Sequence, residues 1–438
     1  MSKDKERGAG NRSKLRALAG PLIVFAAGLL VFSAFSGKRL LKHSNDNHYV
    51  YLADGMLHGR LALEGRPPHL NDWAKYQDKW YVSFPPAPAV LMMPGVAIWG
   101  LEFNDRIFTL FFAAAGPALL FWLMQLLVVK GRFERSTREI ALLALVFGVG
   151  TVYFFSAVQG SVWFTAHMVA GVLLLLYAGA SLDGRHPILA GLFLGLAFAT
   201  RPPMLVAFPF FLHEMLRPHA PGDAPTAWSW LKGSLRGIGF KRLARKCLAF
   251  GVPLAVILAL LMAMNAARFD DPFEFGHKHL QVRWVARIEE WGLFNYHYLG
   301  RNLTVALALV PWITHAPPYL GVSRHGLALW FTTPVFLWIL WPAFRTPLYT
   351  ALALTVAAVA IPDLLYQNSG WLQFGYRFSL DYAPFLMLML AASGRRFGRL
   401  FIALALAGIA VNAFGAVTFD RYWEFYPTES TRTYFQPE

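Results

Sequence analysis

Charge and cysteine are the two things this chain has least of. Asp, Glu, Lys and Arg make up 15% of its 438 residues, against roughly 25% in soluble domains. A surface so poor in charge is not built to face water on every side. The single cysteine, Cys247, excludes an intramolecular disulfide framework. Its place at the start of an apolar run suits a small filler. Also missing are a Gly-rich phosphate loop of the P-loop kind, a GxSxG nucleophile elbow, an HExxH pair and any Cys/His zinc spacing among the 13 histidines. These absences speak against a cytoplasmic NTP-driven motor. No internal repeat is visible, which weighs against transporters built from two related halves.

What the chain has in abundance is apolar mass: 56% of residues are hydrophobic and 16% aromatic. Many apolar runs approach the ~20 residues that a helix needs to cross a bilayer. The net charge of +15 does not indicate nucleic acid as a partner, because Lys and Arg sit in short clusters between those runs. One cluster precedes the first run (Lys3, Lys5, Arg7, Arg12, Lys14, Arg16); others fall at 130–138, at 217–246 and around Arg395, Arg396 and Arg399. That is the positive-inside pattern, and such segments are expected to meet anionic membrane lipid. The first run, 17–36, is too long for a signal-peptide core and has no small-x-small cleavage site after it, so it reads as a retained anchor.

With the N-terminus cytoplasmic, the apolar runs at 17–36, 107–129, 140–158, 162–180, 187–200, 203–215, 247–264, 327–341, 347–361, 380–393 and 400–418 alternate across the membrane. The expected fold is therefore all-α, a single polytopic membrane domain of about 11 transmembrane helices. Residues 37–105 form the first external loop, with short juxtamembrane helices, one of them at 89–100. Residues 217–246 form a basic cytoplasmic loop with one amphipathic helix, 265–325 a second external segment, and 419–438 an external tail. Asp46, Asp54, Asp72, Asp270, Asp271, Glu274 and Asp363 all fall outside in this scheme, although it rests on hydropathy and basic residues alone.

Several residues stand where chemistry is plausible. Asp46, Asp54 and Asp72 share the first external loop. The first two are eight residues apart and lie within about 80° of each other if the segment is helical. Carboxylates there can act as a general base or bind a divalent cation, though solvated external acids are the blander alternative. Arg201, in AFATRPPML, sits between two short apolar runs. A cation near the membrane either snorkels to headgroups or holds an anion. Arg377 with Tyr376 and Asp381 opens a late span, and Arg268 follows another; local ion pairs are the alternative for both. His167 lies below the external surface, where a hydrogen-bonded core histidine is the commoner case.

Taken in order along the chain, these segments resemble the GT-C superfamily of membrane glycosyltransferases, in particular its mannosyl- and aminoarabinosyl-transferase-like branch. The resemblance rests on NDNHYVYLADGMLHG after the first span, NDWAKYQDKWYVSFPPAPAVLMMP before the next helix, the FATRPP apex, and FGYRFSLDYAP before a late span. It implies a sugar donor on a polyprenyl phosphate, transferred with inversion to a lipid, glycan or protein acceptor on the extracytoplasmic face of a bacterial-type inner membrane. It further implies Asp46, then Asp72, as the base. Arg201, Arg377 and Arg268 would be cations for the donor phosphate, with Asp54, Tyr49, Trp80, Tyr81, His167 and Tyr376 around the substrates. Relatives often show Asp-Glu or Asp-x-Asp where this chain has Asn45-Asp46-Asn47. A divalent cation (Mg or Mn) therefore stays an open question. Two other classes remain in view. A lipid-linked glycan transporter needs charges along a central path, and a polysaccharide polymerase or ligase would use Arg268, His277, His279 and Arg283 in the second external segment.

Overall fold

The computed structural model describes residues 2–222, 224, 226–282 and 284–427, with side chains from residue 18 onward. Arg283 and the last part of the expected external tail, 428–438, lie outside the described residues. Six helices among the described residues are long and apolar enough to cross a membrane: Leu18–Leu41, Asp105–Val129, Val162–Gly184, Phe240–Phe269, Pro347–Leu365 and Arg399–Thr418. Of these, Val162–Gly184 is the central one, with 83% of its apolar window buried in protein, whereas Leu18–Leu41 and Phe240–Phe269 are each only 11% buried and lie at the periphery.

The other five apolar stretches form shorter or interrupted helices, and the interruptions follow from residue type. The stretch at 140–158 is a helix Thr137–Val149 and a short turn of helix Tyr153–Ala157, broken at Gly150. The stretch at 187–200 ends as Pro187–Phe198. A residue before proline is driven out of the α region, and Arg201, before Pro202, has φ −140° and ψ 102°. The chain restarts as a 3-10 segment Pro202–Ala207 and the helix Phe208–Leu216. The same effect at Thr333, before Pro334, divides the 327–341 stretch into Leu329–Thr332 and Pro334–Leu340. The stretch at 380–393 holds the helix Ala383–Ala392.

The basic 217–246 loop contains its amphipathic helix, Ala227–Ile238, started by a Thr226–Ser229 capping box. The next helix begins at Phe240 rather than at 247, because Lys and Arg are good helix formers with stems that lie along apolar neighbours. Its approach to Pro187–Phe198 is close: a Cβ on Gly191 would fall 1.9 Å from the Phe250 carbonyl oxygen. Small residues permit such helix contacts inside a bilayer.

The 37–105 segment is more structured than a chain of short helices. It runs through a 3-10 turn Gly37–Leu41, a helix His48–Leu57, a hairpin of strands Trp73–Tyr76 and Lys79–Val82, and a helix Ala87–Trp99. The hairpin pairs Trp73 with Val82 and Tyr76 with Lys79. Its two-residue turn puts Gln77 and Asp78 at φ 45° and 60°, as a tight hairpin turn requires.

Candidate functional site

The 37–105 loop borders a cavity of about 610 Å³, whose walls include Asp46, Asp72, His167, Arg201, Asp363 and Arg377. Four of the residues singled out from sequence as base or cation, from three distant parts of the chain, thus meet on one surface. The central helix organises the acidic side. Its first free backbone N–H, on Val162, donates to the Asp46 carbonyl at 3.0 Å, which satisfies a donor that a helix start leaves open. The next residue, Trp163, donates its indole N–H to an Asp72 carboxylate oxygen at 2.9 Å.

Burial pushes the Asp72 carboxyl up to about 6, against the lowering effects of Trp163 and the Arg377 charge. Asp46 is raised as well, chiefly by burial, although His69 and Asn71 work the other way. Their contacts are loose, at 3.5 Å and 3.4 Å. His48, stacked on Trp73 at 4.1 Å, is pushed down to about 4 by burial and so stays neutral beside them. Tyr49 lines the cavity with a buried hydroxyl that has no partner among the described residues.

The two central cations differ in their company. Arg201 grips Asp381 with two nitrogens, Nε at 3.0 Å and Nη2 at 2.6 Å. It lies 3.7 Å from a second buried carboxylate, Asp363. His167 Nδ1 reaches Asp381 at 3.0 Å, and its Nε2 faces the cavity region without a partner among the described residues. Most of the Arg201 charge is thus already answered. Arg377 has no carboxylate within 4.0 Å among the described residues. Its Nη1 donates to the Leu372 carbonyl at 3.1 Å, and the guanidinium lies over the Phe164 ring at 5.2 Å. Burial, then repulsion from Arg201, pulls its pKa down to about 9. Of the two, Arg377 is the cation with no carboxylate in direct contact among the described residues, although Asp72 and Asp381 act on it at longer range.

Other residues expected at the site stand elsewhere. Arg268 is buried away from the cavity and donates to the Val82 carbonyl at 2.6 Å and to Asn265 at 2.7 Å, which fastens the hairpin to the end of the Phe240–Phe269 helix. Asp54 faces His58 and Arg60 at 3.5 Å and 3.6 Å. Trp80 accepts from the Leu63 N–H through its carbonyl, and Tyr81 packs on Phe269 with ring centroids 5.3 Å apart. Tyr376 is fully buried beneath the Arg201 carboxylates. None of these five lines the cavity. Of the residues considered for a polymerase, His277 lines it, and burial holds its pKa down at about 4.

Sequence reading left some contributors unassigned. Asp363 was sorted as an external acid with no role. Trp163 and Tyr366 were not singled out, since one aromatic among 68 carries no signal of its own. Asp105 accepts from the Ser44 N–H at 2.7 Å and its hydroxyl at 2.5 Å, pinning the start of the acidic segment. The descent of polarity into an otherwise apolar run, as in IPDLLY, is the one signal that could have found Asp363.

No group of three or more His, Cys, Asp or Glu side chains comes together among the described residues, so a divalent cation held by Asp46 or Asp72 would take its remaining oxygens from water or a substrate phosphate.

No family model and no curated protein matches the chain. Among solved structures it is similar to ArnT from Cupriavidus metallidurans bound to undecaprenyl phosphate, at 14% identity and a TM-score of 0.49, over 89% of this chain and 63% of that one. It is also similar to the oligosaccharyltransferase AglB from Archaeoglobus fulgidus, in complex with an inhibitory peptide and a dolichol-phosphate. There the identity is 16% and the TM-score 0.43, over 95% of this chain and 59% of that one. The chain thus spans less than two thirds of the length of either.

Proposed function

We propose that the chain is an inverting glycosyltransferase of the GT-C kind that uses a polyprenyl-phosphate sugar on the extracytoplasmic face of the membrane. The observation that carries this reading is one cavity holding both a pair of raised-pKa carboxylates, Asp46 and Asp72, and a cation with no carboxylate in direct contact among the described residues, Arg377.

In this reading Arg377 takes the donor phosphate. Its charge is most useful as the glycosidic bond breaks, because the phosphate then gains negative charge in a site with little water to answer it. Arg201 acts beside it as a positioning residue, locked by Asp381 and Asp363. Asp46 receives the proton of the acceptor hydroxyl, the freed oxygen pair attacks the anomeric carbon, and the polyprenyl phosphate leaves with the bonding electrons. Asp72, tied to Trp163, holds a sugar hydroxyl at the same wall. A carboxylate with a raised pKa is the better base near neutrality. No step is routed through a metal.

The test uses purified protein in nanodiscs with a panel of polyprenyl-phosphate sugars. Arg377→Gln is expected to weaken donor binding by about tenfold or more. Asp46→Asn is expected to bind donor but lose turnover by about 10²–10⁴-fold. Failure of the wild-type protein to bind any such donor would sink the reading. So would liposome assays in which a lipid-linked sugar crosses the membrane with no covalent product.

A further inference from the structure

Beyond Asp46, away from Arg377, the cavity has a second cationic end. Arg39 and Arg106 line it, together with Gln159 and Asp420. Arg39 is paired with Asp420. Arg106 has no carboxylate within 4.0 Å among the described residues, since its neighbour Asp105 is taken up by Ser44. One Arg106 nitrogen, Nη1, donates to the Arg39 carbonyl at 2.9 Å. Its stem is wedged by Gly160, where a Cβ would fall 2.3 Å from Arg106 Cγ. Arg421 stands behind, donating to the Phe35 carbonyl at 2.6 Å. Its pKa is pulled down by burial and then by the Arg39 charge, so the guanidinium groups crowd one another.

Arg39 Nη1, Arg106 Nε and Gln159 Nε2 make no hydrogen bond among the described residues, and all three side chains belong to residues that line the cavity. Two guanidinium groups with an amide beside them match a phosphate group. The Asp46 carboxylate is near enough for Asp420 to raise its pKa, which places the base next to this end.

We propose that Arg39, Arg106 and Gln159 hold a phosphate group of the acceptor, so that the acceptor is a phosphate-bearing lipid or glycan. This rests on the glycosyltransferase reading above. The acceptor's phosphate stays intact: its hydroxyl loses a proton to Asp46, the oxygen bonds to the anomeric carbon, and the donor's sugar–phosphate bond breaks. One cavity then seats two anions, one at each end of the carboxylate pair, and each substrate is selected by its own arginine.

The experiment measures binding of dihexanoyl phosphatidic acid, neutral dihexanoylglycerol and inorganic phosphate to the purified full chain. The comparison is between wild type, the Arg39→Gln/Arg106→Gln double variant, the corresponding double Lys variant and Arg377→Gln. Phosphatidic acid is expected to bind, dihexanoylglycerol not to bind, and the double Gln variant to lose about tenfold or more, with partial recovery in the double Lys variant. Tighter binding of phosphatidic acid than of inorganic phosphate supports the site and assigns a lipid acceptor; equal binding supports it and assigns a phosphate carried on a glycan. A greater loss in Arg377→Gln than in the double Gln variant, or equal binding of dihexanoylglycerol, overturns the inference. Polyprenyl phosphate binding is measured in parallel. Its absence would remove the donor reading and leave the phosphatidic acid result to be judged by itself.

Discussion

At the scale of single residues, the two central arginines should answer mutation differently. Arg201→Ala leaves Asp381 and Asp363 buried with no cation to face. Breaking a buried pair in that way costs about 3–5 kcal/mol, so a marked fall in thermal stability is expected. Arg377→Gln removes a cation that pairs with no carboxylate, and its thermal midpoint should stay close to wild type while donor binding falls. Equal melting of the two variants would contradict the assignment. Protonation gives a second check. The Asp72 carboxyl sits up at about 6 and Asp46 is raised too. Falling pH adds protons to both, so kcat/KM should decline on the acid side, with the Asp72 carboxyl taking up its proton at about 6. Asp72→Asn should move that limb, because it removes the carboxyl that sits up at about 6. A flat profile down to pH 4.5 would rule out a raised carboxylate as base. Asp46, Asp72, Arg201 and Arg377 were visible in sequence because charge beside an apolar run is costly and conspicuous. The difference between the arginines was not, since Asp381 is 180 positions from Arg201.

At the scale of elements, the uninterrupted spans were legible from apolar length alone. The interrupted ones were not, because hydropathy counts apolar residues and ignores where Pro202, Gly150 or Pro334 stops the helix. The hairpin was missed for a related reason: WAKYQDKWYV alternates weakly, and its turn uses Gln77 and Asp78 where Asn-Gly is the usual signal. Gly191 provides the test at this scale. Its replacement by Ala puts a methyl against the Phe250 carbonyl, and overpacking of that kind costs about 1–3 kcal/mol. Gly191→Ala should therefore lower thermal stability. An unchanged midpoint would mean that the two helices can separate freely.

At the scale of the whole molecule, charge gathers in two places. Around Asp183, Lys130 and Arg132 of one basic cluster and Arg217 of another are drawn into a network at 2.6–2.7 Å, while Asp46, Asp72, Asp363 and Asp420 line the cavity. In the proposed reaction the base and the phosphate's counter-charge are both side chains, Asp46 and Arg377, so sugar transfer is expected to persist in EDTA. Loss of turnover on chelation, restored by Mg or Mn, would show that a cation bridges Asp46 and Asp72. The fold class was readable from composition; the meeting of chain segments at one cavity was not, because contacts across hundreds of positions leave no local mark.

The start of the central helix has a consequence for how such a protein can change. Val162 holds the Asp46 backbone and Trp163 the Asp72 carboxylate, so the spacing of the acids is inherited from a membrane-embedded rod. Insertions or exchanges at the hairpin tip, around Gln77 and Asp78, fall on residues that do not line the cavity, and so leave the spacing of the two acids untouched.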